Sequence, residues 1–185
     1  MRPVGPDDRQ LLLGMHRGDE ASARLVWRRH APRLIVHAVA ILRERGAAED
    51  AVQAVMCRLL ELPRARLAAV RDGAAFLSAA VRREALNQLR SRRREAARRT
   101  GVGGSGTAAE RPRQGAFGEL AGALAALPRH QREIVVLKHI GELTFDQIAL
   151  ALGANRNTVA ARYRAALTAL RSSMDPCGVG GGAHG

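Results

Sequence analysis

The sequence predicts an all-α protein: two small helical domains joined by a flexible linker, the C-terminal one carrying a helix-turn-helix. Three observations predict it. Apolar residues recur at three- and four-residue steps through most of the 185-residue chain, the period of helices that bury one face. Aromatic residues make up 3% of the chain, too few for a β-rich fold or for the stacking platforms of single-strand-binding sheets. From Thr100 to Gln114 the sequence TGVGGSGTAAERPRQ is glycine-rich, polar and nearly free of large apolar side chains, the composition of a tether between independently packed units.

The first domain, residues 1–99, opens with helices marked by Leu11, Leu12 and Met15 and then by Leu25, Val26, Leu34, Ile35, Ala38, Ile41 and Leu42, with Gly18 and Pro32 as punctuation. A third helix begins near Ala47. Glu49 and Asp50 are expected in its first turn, where they complement the helix dipole; Val52, Val55, Met56, Leu59 and Leu62 carry its apolar stripe, and Pro63 ends it. An irregular basic segment, PRARLAAVRDG, precedes a fourth helix that runs from about Ala74 through Phe76, Leu77, Val81, Leu86 and Leu89 into RSRRREAARR, where no apolar face is left. Trp27 and Phe76 fall on apolar helical faces and are read as core, since buried aromatics mostly supply apolar area. Residues 100–115 form the linker. The second domain, residues 116–174, reads as helices at Glu119–Leu127, Arg129–His139, Phe145–Leu152 and Asn155 to about Arg171, and residues 175–185 as a disordered tail.

The passage LTFDQIALALGANRNTVAARYRAAL has the spacing of a helix-turn-helix. Thr144 with Gln147 three residues later is a capping box, Ile148 and Leu152 point inward, and Gly153 supplies the left-handed turn. The second helix then buries Val159, Tyr163, Ala166 or Leu167, and Leu170. That leaves Arg156, Asn157, Thr158, Ala161, Arg162 and Ala165 on the face that enters a major groove.

Charge points to the same class of partner. Lys plus Arg is 30 against 17 Asp plus Glu, a formal charge of +13, and Lys138 alone among the cations is not Arg. Arginine's planar fork suits phosphates and guanine edges. Residues 82–99 hold eight Arg (Arg82, Arg83, Arg90, Arg92, Arg93, Arg94, Arg98 and Arg99) against Glu84 and Glu95, a net +6 suited to sequence-independent phosphate contacts.

Other chemistries find no support. Cys57 and Cys177 have no partner at C-x-x-C spacing, and His16, His30, His37, His130 and His139 have no carboxylate or thiol at ligand spacing, so neither metal nor cofactor is expected. TGVGGSG lacks the Lys-Ser/Thr of a nucleotide-binding loop. No stretch approaches a membrane span, and the first residues read as neither a signal nor a transit sequence, so a cytoplasmic protein is expected.

Three segments resemble the sigma-70 family of RNA polymerase sigma factors, in its short two-domain extracytoplasmic-function (ECF) group. GAAEDAVQAVMCRLL is similar to the polymerase-binding helix, with Glu49, Asp50, Gln53 and Met56 at the acidic pair, Gln and apolar positions. AAFLSAAVRREALNQLRSRRR is similar to the next helix, although Arg83 stands where Asn is common and Asn87 where an acidic residue is. LPRHQREIVVLKHIGELTFDQIALALGANRNTVAARYRAALTALR resembles the C-terminal promoter-binding domain, with Ala160, Ala161 and Ala165 where Lys, Ser and Arg are common.

The resemblance implies a non-enzymatic subunit that binds polymerase core and directs promoter-specific initiation. The first domain would capture the melted minus-ten element, with Arg82, Arg83, Asn87, Arg90, Arg92, Arg93 and Arg94 on its DNA side. The second would read the minus-thirty-five element as duplex, and an anti-sigma factor would be a further partner. Two rivals remain open at this stage. A stand-alone regulator would need a dimer seam or ligand pocket in its first half and would give Glu49, Asp50 and Gln53 no special role; a nucleic-acid-modifying enzyme would need an acid/base or metal constellation that the sequence lacks.

Overall fold

The computed structural model describes residues 7–99 and 116–174, and the expected linker and tail, with Cys177, lie outside them. Nine helices and no strand are found among the described residues: α1 (Asp8–His16), α2 (Glu20–Leu42), α3 (Arg45–Glu61), α4 (Arg64–Ala68), α5 (Gly73–Arg99), α6 (Ala116–Ala126), α7 (Arg129–His139), α8 (Phe145–Leu152) and α9 (Arg156–Met174).

In the first unit α2 is the central strut, packed by α1, α3 and α5. Its start is fixed by Asp19, whose carboxylate accepts from the backbone N–H groups of Ala21 and Ser22 at 3.1 and 3.2 Å. Gly14 lets α1 approach that start, since a Cβ there would overlap the Ser22 side chain. Pro32, expected to punctuate, lies inside α2 without ending it. The ring is exposed, so the carbonyl that loses its partner faces water rather than the core. The core is made by Leu12, Val26, Leu34, Ala38, Ile41, Val52, Val55, Leu67, Leu77 and Val81, with Phe76 packed at its edge.

One expectation about α3 needs correcting. The helix starts at Arg45, so Glu49 and Asp50 fall beyond its first turn, and Glu49 pairs with Arg45 at 2.7 Å instead of meeting the helix end. Within the segment expected to be irregular, Pro63 caps the short helix α4, which buries Leu67 completely. Trp27, expected in the core, is 44% exposed. It sits on the outer side of α2, where the three- and four-residue steps were already filled by Val26, Leu34 and Ile41.

The second unit is a small bundle in which α9 crosses α6, α7 and α8, around Ile134, Leu137, Leu143, Ile148 and Val159 on one side and Leu127, Val135, Ala166 and Leu170 on the other. The two units are not independent. α7 packs on α2 and α8 on α5, and Ala74 of α5 joins the apolar cluster of the second unit.

Polar groups span the same contact. The buried Arg132 guanidinium donates to the carbonyls of Ala40 (2.7 Å), Ala125 (3.1 Å) and Leu127 (2.8 Å), so one side chain closes the end of α2 and the end of α6. Glu133, 1% exposed, is paired with Arg82 at 2.8 Å and with Arg129 at 3.3 Å. Arg33 reaches Glu142 at 2.7 Å, and Gln147 donates to Asp72 at 2.6 Å. A cleft of about 440 Å³ runs along the contact between α2, α5 and α7.

Candidate nucleic-acid interface

The helix-turn-helix forms as its sequence dictates. Thr144 Oγ1 accepts from the Gln147 N–H at 3.2 Å while Gln147 Oε1 accepts from the Thr144 N–H at 2.8 Å, the reciprocal box that starts α8. Gly153 turns the chain at φ 63°, a left-handed conformation that other residues adopt at a cost. Asn155 then accepts from the Asn157 N–H at 2.8 Å and opens α9.

The rotation of α9 is set by its buried side. Val159 and Ala166 are fully buried, and Tyr163 is held by a 2.8 Å hydrogen bond to His139, by stacking on that imidazole and by an edge contact with Phe145. With that side fixed, Arg156, Asn157, Thr158, Ala161, Arg162 and Ala165 are all exposed on the other, as the sequence placed them. Arg156 also pairs with Asp146 at 3.2 Å, so its fork is partly committed to α8. Arg164, not singled out in the sequence, is exposed on the flank of this face; its spacing from Arg162 hid it, because i, i+2 residues do not share a helix face.

The basic helix α5 divides in two. Up to Leu89 it packs on the first core, and from Arg90 to Arg99 every residue is exposed, so roughly 15 Å of helix projects from the body. Arg93 and Arg94 lie on this projection. Arg90 donates to Asn87 at 2.9 Å, and Arg92 to Glu44 at 2.9 Å. Arg83 is exposed nearer the root, at the rim of a groove of about 330 Å³ floored by Val55, Leu59, Leu62 and Phe76 and edged by Arg58 and Arg66. Arg82 is different. Its guanidinium turns to the buried Glu133 carboxylate, so it serves the contact between the units rather than the DNA side on which it was expected.

On α3, Glu49, Asp50 and Gln53 share an exposed edge that continues through Cys57 and Leu60. Met56 is 6% exposed and belongs to the core, not to that edge. It lies three residues from Gln53 yet on the inner side, because the stripe of Val52, Val55 and Leu59 passes through it. No group of His, Cys, Asp and Glu that would hold a metal occurs among the described residues.

Comparison with known proteins places these helices. Residues 26–95 match the family model "Sigma-70 region 2", and residues 117–170 match "Sigma-70, region 4". The chain belongs to the sigma-70 family. A region 2 and a region 4, in that order and with little between them, is the layout of its ECF group. Two solved structures share the fold. The sigma factor RpoE, in complex with the anti-sigma factor NepR from Bartonella quintana, is 23% identical, with a TM-score of 0.62 over 79% of this chain and 92% of its own. CnrH, in complex with the cytosolic domain of CnrY, is 20% identical, with a TM-score of 0.62 over 91% of this chain and 97% of its own. The chain matches no curated protein sequence.

As a sigma factor the protein directs transcription, with RNA polymerase and promoter DNA as its partners. The region 2 match removes the stand-alone regulator, whose first half would be unrelated. Members of the family are generally not enzymes, and no helix among the described residues of this sigma factor is long and apolar enough to cross a membrane.

Proposed function

We propose that this sigma factor is a non-enzymatic initiation subunit of the cytoplasm. In this reading residues 1–99 bind polymerase core and hold the melted minus-ten element, and residues 116–174 read the minus-thirty-five element as duplex. The observation that carries it is the presence in one chain of a region 2 and a region 4, each with an exposed basic helix.

Core polymerase meets the edge of Glu49, Asp50 and Gln53, whose negative charge stands out on a strongly basic protein. The projection of α5, with Arg90, Arg92, Arg93 and Arg94, takes backbone phosphates. Asn87 and Arg83 lie toward its root, where the groove floored by Phe76 gives an unstacked base an apolar wall and three guanidinium groups at its rim. On α9, Arg162, Asn157 and Thr158 address base edges, Arg156 serves an edge or a flanking phosphate, and Ala161 and Ala165 let the helix approach closely. An anti-sigma factor is a further partner, in line with the RpoE relative, whose structure contains one.

Run-off transcription with purified core polymerase, with and without this protein, tests the reading. Promoter-dependent transcripts that require the protein support it. Core that initiates equally with and without it overturns the reading.

A further inference from the structure

The contact between the units limits what the protein does in this shape. The two promoter elements are about 25 base pairs apart, roughly 85 Å along B-form DNA at ~3.4 Å per pair. A folded chain of this length has a radius of gyration on the order of 16 Å and is about 40 Å across. With α7 on α2 and α8 on α5, the sigma factor cannot hold both elements at once. The units must part.

What holds them is unusual for an apolar contact. Arg132, Glu133 and His37 are all buried at or beside it. Arg132 and Glu133 have partners across it. His37, 1% exposed on α2, has none among the described residues: both ring nitrogens are buried without a hydrogen bond. It lines the cleft together with Ala74 and Ser78 of α5 and Val136 and Leu137 of α7, so parting α7 from α2 opens that side of the imidazole to water.

We propose that His37 is the proton-sensitive element within the closed contact, the neutral imidazole allowing closure and the protonated one driving the helix-turn-helix unit away.

The charged and titratable groups around His37 favour the neutral form. From α5, Arg82 faces it with like charge, although Glu133 of α7 partly neutralises that guanidinium. Along the cleft the other groups are Arg29, His30 and Arg33 of α2, Asp8 of α1 and Glu142 after α7. Asp8 lies at 3.1 Å from His30 and 2.6 Å from Arg29, and Glu142 is engaged by Arg33, so both carboxylates are already paired and neither is placed to hold an imidazolium at position 37. Burial, then Arg82, pushes the imidazole from its ordinary value of 6.5 down to about 3.

The sign follows from the lowered value. Closure is fully favoured above pH 6.5 and loses ground as pH falls from 6.5 toward 3. Linkage across that window lets the closed-to-open ratio fall by at most about tenfold from pH 7.5 to 5.5 and at most about tenfold again to pH 4.5, the limit for an imidazole fully solvated after parting.

Small-angle X-ray scattering of the full-length chain from pH 7.5 to 4.5, with circular dichroism on the same samples, reads the separation without polymerase. The expected result is a radius of gyration that rises below pH 6.5 while helix content is unchanged. His37→Leu and His37→Gln should remain closed throughout, and His37→Arg should be extended even at pH 7.5. A radius that does not change with pH, a rise that both neutral variants keep, or a rise that tracks loss of helix overturns the proposal. The proposal rests on the sigma-factor reading only for the meaning of the closed state. Scattering therefore fails or succeeds independently of run-off transcription, where His37→Arg should initiate at least as well as wild type at neutral pH.

Discussion

Gln147 joins two jobs whose energies separate in a mutant cycle. Its carbonyl oxygen accepts from the Thr144 N–H at 2.8 Å and completes the box that starts the helix-turn-helix, while its amide nitrogen donates at 2.6 Å to Asp72, which in turn caps α5 through the Ala75 N–H at 2.8 Å. Gln147→Ala loses about 1 kcal/mol for the cap and about 1.5 kcal/mol for the half-buried bond to a carboxylate, and regains a few tenths because Ala is the better helix former. The net cost is about 2 kcal/mol, or roughly 4–8 °C in Tm for a chain of this size. Asp72→Ala loses the same shared bond and its own cap, about 2.5 kcal/mol. Because the shared bond is lost only once, the double variant should fall short of additivity by about 1.5 kcal/mol. Urea unfolding at pH 7.5, followed by circular dichroism, measures all four corners of the cycle. A coupling of about zero, with each single variant still destabilised, would show that α8 does not rest on the start of α5 in solution and would refute the closed contact.

Four further outcomes are expected. Asp50→Arg should reduce co-purification with core polymerase without moving the melting temperature, because the carboxylate is exposed; retained binding would take that edge out of the interface. Changing Arg90, Arg92 and Arg93 to Ala should lower open-complex formation at every promoter and flatten its salt dependence, whereas a loss confined to some promoters would contradict phosphate contact. If Arg162 pairs with a guanine, Arg162→Ala should cost about 1–3 kcal/mol and relax one upstream base pair in sites selected with core polymerase present, and identical site profiles would make α9 a non-specific clamp. The His30 imidazole, assisted by Arg29 and opposed by burial, holds the Asp8 carboxyl below its ordinary value of 3.8, so its stabilisation is present above that pH and lost as pH falls through the lowered value; Asp8→Asn should be less stable than wild type at pH 7, with the gap closing in acid.

What the sequence made legible was local. Thr144, Gln147 and Gly153 announce their turn because a capping box and a left-handed glycine are satisfied by residues a few positions away, and the exposed face of α9 follows from the period of its buried residues. Periodicity tells which side of a helix is inward but not how far the inward stripe extends, and this is why Trp27 reads as core; Met56 reads as inward by its period, and the resemblance to the polymerase-binding helix alone puts it on the polymerase edge. Pro32 reads as punctuation because proline is costly inside a helix, a cost that an exposed ring on a long, well-packed helix reduces. The contact between the units was the least legible feature. Nothing in the local pattern around Arg82 distinguishes a guanidinium reaching DNA or solvent from one that finds a carboxylate 51 residues away.

The last ten residues of α5 are all exposed and meet the body through the pair of Arg92 with Glu44 near their root, and that gives the helix two mechanical characters. Its root moves with the first core; its tip is shaped by backbone propensity and by short-range pairs such as Arg99 with Glu95. An already wound tip meets a phosphate path with most of its ordering entropy lost beforehand, yet none of its residues is buried in a way that would oppose bending. Promoters whose strands diverge along slightly different directions can therefore be gripped by one helix at little conformational cost, and tolerance of DNA geometry is built into the same residues that supply the charge.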